Sequence, residues 1–199
     1  MQKLLTDHGT RCKKRGVSDV IEAAKTSRAN CRGCGGPIRR GELRFGEALP
    51  NAYGEGESLF WFHVACAACM RSEKLGPALE SWDQPIERRD WLNELIQSGA
   101  MHPRLQRLLR AEHSPSGVAH CRQCRELIAK GCWRLALQRF EEGRMQPIGF
   151  IHVQCAEPYF GTANILGRVA RLSDGLGSSD LAEIEEQCRS SVAARVTLT

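Results

Sequence analysis

Two thiols and a histidine–thiol pair occur twice in the sequence at the spacing that a tetrahedral zinc ion requires. In each copy a Cys-x-x-Cys pair is followed, after a long spacer, by a His-x-x-Cys pair. Sulfur and imidazole are the donors that structural zinc prefers, and two donors separated by two residues can face one ion. The predicted ligands are Cys31, Cys34, His63 and Cys66 in the first copy and Cys121, Cys124, His152 and Cys155 in the second.

The duplication of this pattern is a stronger signal than either copy alone. The first pair recurs 90 residues further along the chain and the second pair 89 residues further along. Repetition of four ligand types in one order indicates two copies of one structural unit. Four protein ligands leave no open coordination position, so the sequence predicts two structural zinc ions, one in each copy.

Two other residues compete for these sites. Cys69 follows Cys66 at the same spacing and could complete a four-cysteine site, but Pro158 stands at the matching place in the second copy. The comparison favours three cysteines and one histidine in both sites. His120, which precedes the second Cys-x-x-Cys pair, is a weaker rival, because Asn30 stands at that place in the first copy.

The repeat divides the 199 residues into two small units. Each half is short for a self-sufficient hydrophobic core, which a metal ion would help to stabilise. Alternating apolar residues and glycine turns predict an α+β fold of two zinc-stapled domains, each a short antiparallel sheet plus a helix, joined by a helical linker. The predicted segments are a basic N-terminal segment at 1–19, a first finger at 20–98, a linker at 99–117 and a second finger at 118–199.

The helices are predicted from their capping signals and their periodicity. Pro85 suits the first turn of a helix over 85–97, and a second, shorter helix is expected over 102–110, where leucines recur at helical intervals. Asp180 and Glu183 have the spacing of a capping box and predict a C-terminal helix.

Charge and cysteine usage limit the kind of protein. The formal net charge is +5, and six zinc-bound thiolates with two Zn²⁺ would lower it by about two units, so local clustering must carry any argument for nucleic-acid binding. The first thirty residues contain no apolar run typical of a signal peptide. The longest apolar stretch, 59–70, is shorter than the ~20 residues that a membrane helix needs. We expect an intracellular protein without a membrane partner.

The chain resembles the poly(ADP-ribose) polymerase-type zinc finger, a module that recognises DNA breaks. The likeness lies in the long spacer between the two ligand pairs, which is Cys-x2-Cys-x28-His-x2-Cys in the first half and Cys-x2-Cys-x27-His-x2-Cys in the second. Further similar stretches are Ala24–Cys31, Leu43–Phe45, Phe60–His63 and Asp174–Leu176.

The resemblance implies that each finger clamps the phosphate backbone beside a break and that apolar loop residues stack on the exposed base pair. The candidate phosphate contacts are Lys25, Arg28, Arg44 and Arg134. The candidate base-stacking residues are Tyr53 and Leu59 in the first finger and Phe140, Met145 and Ile148 in the second. The alternative is that the two strand arginines are ordinary solvated residues and that the loop residues belong to the core.

The two halves differ in these candidates. Val118 stands where the first half has Arg28, so one phosphate contact is missing from the second half. We therefore expect the first finger to contribute more of the phosphate clamping and the second finger more of the base stacking.

The sequence contains no motif for catalysis. It holds no glycine-rich nucleotide loop or nucleophile elbow. Because the given residues end after the second finger, we expect the family's ADP-ribosyl-transferring domain to be absent. We expect a non-enzymatic sensor that binds double-stranded DNA at a nick, gap or end, in a nucleus or on a bacterial nucleoid. The alternatives are a zinc-stabilised protein-interaction scaffold and an RNA-binding protein.

Overall fold

The computed structural model describes residues 17–51, 54–141 and 143–196. Most of the basic segment predicted at 1–19 therefore lies outside the described residues, as does the stacking candidate Tyr53. Within the described ranges the chain forms an α+β fold with two antiparallel three-stranded sheets and accompanying helices, which confirms the predicted fold class. No helix in these ranges is long and apolar enough to cross a membrane.

Each sheet is a meander in which the middle strand pairs with both neighbours. The orders are β1-β2-β3 and β4-β5-β6, all antiparallel, and the register pairs Arg44 with His63 in the first sheet and Arg134 with His152 in the second. The same step of each sheet therefore places a strand arginine opposite a zinc-ligating histidine. The strands are β1 (Val20–Ala23), β2 (Leu43–Pro50), β3 (Glu57–His63), β4 (Leu108–His113), β5 (Trp133–Glu141) and β6 (Arg144–His152).

In each half a helical segment begins directly after the last strand of the sheet, which ends at the histidine of the predicted zinc site. The chain enters a helix immediately after His63 and a 3-10 turn, Val153–Cys155, immediately after His152. The α-helices are α1 (Val64–Met70), α2 (Ser72–Glu80), α3 (Arg89–Met101), α4 (Ala156–Phe160), α5 (Leu166–Leu172) and α6 (Ser178–Val196).

Two of the predicted helices have different boundaries in the structure. The helix expected over 85–97 begins only at Arg89, because Arg88 adopts a left-handed conformation with φ 57° that the helix cannot include. The prediction of a helix over 102–110 is wrong for residues 108–110, which belong to a strand. A 3-10 helix covers Pro103–Arg107, and Leu108 then turns to an extended conformation that opens β4. Pairing with β5 outweighs the helical spacing of the leucines.

The predicted C-terminal helix is present and has a buried face, but it begins at Ser178, so Asp180 lies in its first turn and is not the N-cap residue of a capping box with Glu183. The Asp180 carboxylate accepts a hydrogen bond of 2.8 Å from the backbone N–H of Gly177, one residue before the helix begins. Ile184 and Cys188, one turn apart, are both buried in the core.

The stretch expected to be a linker, 99–117, contributes to the second sheet. It contains β4, whose partner is β5, so the second unit begins before 118. The two halves also share one contiguous hydrophobic core, since α1 packs against both α3 and α5. The Arg168 guanidinium on α5 is 2% exposed and donates a hydrogen bond of 2.6 Å to the Leu95 carbonyl on α3. The fingers are therefore packed against each other as well as connected.

Candidate metal centres and nucleic-acid interface

The first metal centre is assembled from a turn, a strand end and a helix. Cys31 and Cys34 lie on a tight turn after β1, His63 ends β3, and Cys66 lies in the first turn of α1. Their ligand atoms all lie within 4.8 Å of one another, with the Cys34 Sγ 3.3 Å from the His63 Nδ1. This donor set fits a tetrahedral Zn²⁺ that binds the histidine through Nδ1. Cys69 lies outside the group, fully buried in α1, where burial raises the pKa of its thiol to about 11.

The second centre repeats this arrangement. Its four ligand atoms also lie within 4.8 Å of one another, and the Cys124 Sγ is 3.3 Å from the His152 Nδ1. His120 is not among them. The two Cys₃His sites confirm the prediction of two zinc ions from the sequence.

Backbone contacts fix the orientation of both histidines. The His63 Nε2 lies 3.2 Å from the Pro37 carbonyl, and the His152 Nε2 lies 3.1 Å from the Leu127 carbonyl. An N–H at Nε2 can donate to that oxygen, which leaves Nδ1 free to bind the metal. Backbone N–H groups also donate to the first sulfur of each site, as from His63 to the Cys31 Sγ at 3.3 Å.

Crowding of the ligands shows why these sites suit a divalent cation. Burial raises the pKa of Cys155 to about 12, and the neighbouring Cys121 adds to this effect. Burial also disfavours the Cys121 thiolate, but hydrogen bonds from backbone N–H groups outweigh it and lower the pKa of Cys121 to about 7. Hydrogen bonds that a protonated His63 donates to the sulfurs of Cys31 and Cys34 raise the pKa of His63 to about 10. A central Zn²⁺ stabilises every thiolate together and requires a neutral histidine.

The two strand arginines predicted as phosphate contacts occupy the same environment in both halves. Arg44 forms an ion pair of 2.5 Å with Glu22 on β1, and its guanidinium carbon lies 3.5 Å from the centre of the Trp61 ring. Arg134 forms an ion pair of 2.5 Å with Glu112 on β4 and lies 3.6 Å from the Phe150 ring.

Both side chains are buried by these contacts. Arg44 is 8% exposed and Arg134 is 6% exposed, so neither is the solvated strand arginine of the alternative interpretation. Burial would raise the pKa of Glu112, but Arg134 and Arg110 outweigh it and hold that pKa below its usual value. Each arginine is therefore ionically paired and stacked within its own sheet.

The other DNA-binding candidates are distributed unevenly. Lys25 and Arg28 are exposed on the segment that leads into the first metal turn. Leu59 is half-buried in a cleft of about 520 Å³ beside the first metal turn, which Trp61 also lines. Met145 and Ile148 are half-buried on β6 and pack partly against the core.

Phe140 lies at the contact between the two halves. Its ring meets the Phe62 ring edge to face at 5.9 Å, and the Arg71 guanidinium covers it at 4.4 Å. Arg71 in turn forms two hydrogen bonds with Glu47, which is fully buried. The residue proposed from the sequence as a base-stacking side chain is thus occupied in holding the fingers together.

Each metal turn carries an arginine that was not predicted from the sequence as a site residue. Arg32 and Arg122 follow the first cysteine of each site, both are exposed, and each N–H donates a 2.8 Å hydrogen bond to the last strand of its sheet. Arg32 lines the cleft of Leu59, and the Arg122 guanidinium donates a hydrogen bond of 2.7 Å to the Ile148 carbonyl. The signal was available, because both arginines occupy the same place in the repeat.

Comparison with known families agrees with this geometry. Residues 22–99 match the sequence model of the poly(ADP-ribose) polymerase and DNA-ligase zinc-finger region. The first half of the chain is therefore similar in sequence to the zinc fingers of this family. The second half carries the same four ligands on the same elements.

Two curated relatives extend the likeness beyond the first finger. The chain is 24% identical over 140 residues to poly [ADP-ribose] polymerase 1 of Oryza sativa subsp. japonica and 27% identical over 157 residues to poly [ADP-ribose] polymerase of Sarcophaga peregrina. These alignments cover 67% and 68% of this chain but only 14% and 16% of the relatives. The chain thus spans less than a fifth of the length of those polymerases.

Proposed function

We propose that this protein binds DNA at strand discontinuities, such as nicks, gaps and ends, and acts as a sensor of DNA damage. The observation that carries the proposal is a duplicated pairing beside the two metal turns. In each half an exposed arginine of the turn, Arg32 or Arg122, lies next to a half-buried apolar residue of the last strand, Leu59 or Ile148. The family whose sequence model the first finger matches supports DNA as the ligand.

The physical basis is the difference between a broken and an intact duplex. An interruption lets the duplex bend and bares a base face that the intact duplex keeps stacked. Leu59 and Ile148 can cover such a face, while the neighbouring guanidinium contacts the backbone phosphate beside it. In this account the described residues bind DNA and catalyse no reaction. The protein is then associated with DNA in a nucleus or on a bacterial nucleoid.

The exposed cations need no rearrangement to meet a phosphate. Lys25 and Arg28 lie at the surface near the first metal turn. Arg44 and Arg134 can contact a phosphate only if each guanidinium exchanges Glu22 or Glu112 for it. The proposal therefore places the first contacts on the exposed residues and treats the two buried arginines as contacts that form after such an exchange.

The test is a binding comparison on closed DNA dumbbells, whose hairpin-capped ends leave no duplex end. One dumbbell is intact, the other contains one nick in the same sequence, and a blunt-ended linear duplex completes the set. We expect the zinc-loaded protein to bind the nicked dumbbell and the blunt duplex more tightly than the intact dumbbell. Equal affinity for all three DNAs would contradict the proposal and leave the protein-scaffold alternative.

Matched variants assign the preference to the apolar residues. Leu59→Ser and Ile148→Ser should each weaken binding to nicked DNA by about 1–3 kcal/mol while leaving intact DNA unchanged. Met101→Ser, which alters a side chain that is 70% exposed on α3, is the control and should bind as the parent does. Replacing the nicked DNA by a nicked RNA duplex tests the RNA alternative directly.

A further inference from the structure

A cleft in the second half gathers three arginines around an apolar residue. It has a volume of about 380 Å³ and lies beside the second metal turn, between β5, β6 and the chain that leads from α3 to β4. Of its residues, only Ile148 was predicted from the sequence to contact DNA. The cleft is lined by Arg107, Arg122, Arg139, Pro147, Ile148 and Tyr159.

The arginines of this cleft come from three different elements, and a hydrogen bond holds one of them in place. Arg107 ends the 3-10 helix, Arg122 lies on the metal turn, and Arg139 lies on β5. The Arg122 guanidinium is fixed by its hydrogen bond to the Ile148 carbonyl. Gly149 permits this approach, because its φ is +109° and an added Cβ would lie 3.0 Å from the Arg122 Cδ.

The positive charge of the cleft is only partly compensated. The Arg139 Nε lies 3.0 Å from a Glu141 carboxylate oxygen, but both side chains are about half exposed, which weakens that ion pair. Among the residues that the structure describes, no carboxylate forms an ion pair with Arg107 or Arg122. The repulsion between these like charges raises the energy of the free protein, and an anion bound in the cleft would relieve that repulsion.

The equivalent cleft of the first half lacks this surplus of positive charge. It is lined by one arginine, Arg32, together with Leu59 and Trp61. In the repeat, Leu49 stands at the place of Arg139. The concentration of arginines in the second half is opposite to the division of labour expected from the sequence, which gave most of the phosphate contacts to the first finger.

We propose that the cleft of Arg107, Arg122 and Arg139 receives a terminal phosphate monoester at a DNA break. The inference rests on the proposed function, since a strand terminus exists only at a discontinuity. A terminal phosphate carries about −1.5 to −2 charges near pH 7, whereas a phosphodiester carries one, so the monoester matches a cleft with more than one unpaired guanidinium. Arginine also binds phosphate oxygens in bidentate geometry.

The position of Ile148 supports a terminal rather than an internal phosphate. At a break, the exposed base face and the terminal phosphate belong to the same nucleotide. Ile148 offers the apolar surface for that base, and its own carbonyl holds Arg122 beside it. One short segment of β6 thus joins the stacking surface to the charged cleft.

The experiment uses the full zinc-loaded chain and four dumbbells of one sequence. One is intact, and the other three contain a nick with a 5′-phosphate, a 3′-phosphate or neither. We expect the protein to bind one of the phosphorylated nicks about tenfold more tightly than the unphosphorylated nick. The unphosphorylated nick cannot form the charge-assisted hydrogen bonds between the cleft arginines and a terminal phosphate. The two phosphorylated probes show which strand end enters the cleft.

Variants assign the phosphate preference to the cleft. Arg107→Gln and Arg139→Gln should each bring the affinity ratio between phosphorylated and unphosphorylated nicks toward one. Arg189→Gln, on an exposed arginine of α6, is the control and should keep the ratio of the parent. Zinc content of two ions per chain checks that each variant is folded.

The outcomes separate this inference from the proposed function. If the parent binds all three nicks equally but more tightly than the intact dumbbell, the phosphate cleft is wrong and break recognition stands. If the intact dumbbell binds as well as the nicked ones, break recognition fails and the inference fails with it. A phosphate preference that survives in folded Arg107→Gln and Arg139→Gln would also overturn the assignment.

Discussion

At the scale of single residues, the strand arginines of the two sheets show how one side chain can be structural and still lie near the proposed ligand surface. Arg44 and Arg134 each bridge a carboxylate on the first strand of the sheet and an aromatic ring on the last strand. Each guanidinium thus connects all three strands beside the metal centre. Loss of either arginine should affect the stability of its sheet.

We predict that Arg44→Ala and Arg134→Ala each lower the free energy of unfolding by about 2 kcal/mol. The change removes a charge-assisted hydrogen bond and a cation–π contact, and it leaves a partly buried carboxylate unpaired. Denaturant unfolding of the zinc-loaded protein measures this loss. Arg28→Ala, at an exposed position, is the control, and an equal stability of all three variants would contradict the structural role.

The two metal turns differ at one position whose left-handed backbone conformation only glycine adopts easily. Gly35 has φ +77° and open space where a Cβ would lie, whereas Arg125, at the same place in the repeat, has φ 72°. We predict that Arg125→Gly stabilises the protein by about 1 kcal/mol, because glycine pays no steric penalty in this region. Gly35→Ala should destabilise it by a similar amount, and thermal unfolding with saturating zinc tests both. A lower melting temperature for Arg125→Gly would contradict the explanation.

The zinc ligands could be predicted from the sequence because ligand spacing is local and is repeated. The environment of Arg44 could not be predicted in the same way. Its partner Glu22 lies on another strand, and only the register between β1 and β2 brings the two together. Lys25 and Arg28 are exposed on the segment before the first metal turn, and their contact with DNA stays a prediction.

At the scale of elements, the β5–β6 hairpin does more than present loop residues. Its Phe140 packs on Phe62 of β3 and beneath Arg71, which follows α1. The helices after the first zinc site and the hairpin of the second finger therefore form one contact. That contact fixes the orientation of one finger relative to the other.

We predict that Phe140→Ala lowers the free energy of unfolding by about 2 kcal/mol, less than for a fully buried phenylalanine because the ring is half-buried. The zinc content should stay at two ions per chain, since the ligands are untouched. Arg144→Ala, an exposed change in the same hairpin, provides the control for denaturant unfolding. An equal effect of the two substitutions would show that the ring does not join the fingers.

Elements with local signals could be predicted, and those decided by long-range pairing could not. The cap at Asp180 and the spacing of Ile184 and Cys188 define α6 within the sequence itself. The start of strand β4 falls in the predicted helix over 102–110, because the pairing of β4 with β5 depends on residues 20 to 29 positions away. Helix α1 was also missed, since the apolar run through 59–70 that contains it gives no clear period. Helix α2 was not predicted either.

At the scale of the whole molecule, the protein is a pair of zinc centres joined by one hydrophobic core. Neither half is large enough to rely on burial alone, and each metal ion ties a turn, a strand and a helix together. The repeat made the two units predictable, but their shared core depends on contacts such as that between α1 and α5, which no periodicity signals.

We predict that His152→Ala lowers the zinc content from two ions per chain to one and unfolds at least the second sheet, because metal binding and folding are coupled. Metal analysis and circular dichroism measure the two effects. His120→Ala, which alters the rejected ligand beside Cys121, should keep both ions. A loss of zinc from His120→Ala, or two ions in His152→Ala, would contradict the ligand assignment.

The most direct test of break recognition is a salt titration of the affinities for nicked and intact dumbbells of one sequence. Phosphate contacts release counterions, so both affinities should fall steeply as salt rises. Base stacking releases none, so the ratio in favour of the nicked DNA should persist across the titration. A ratio of one at every salt concentration would contradict the account.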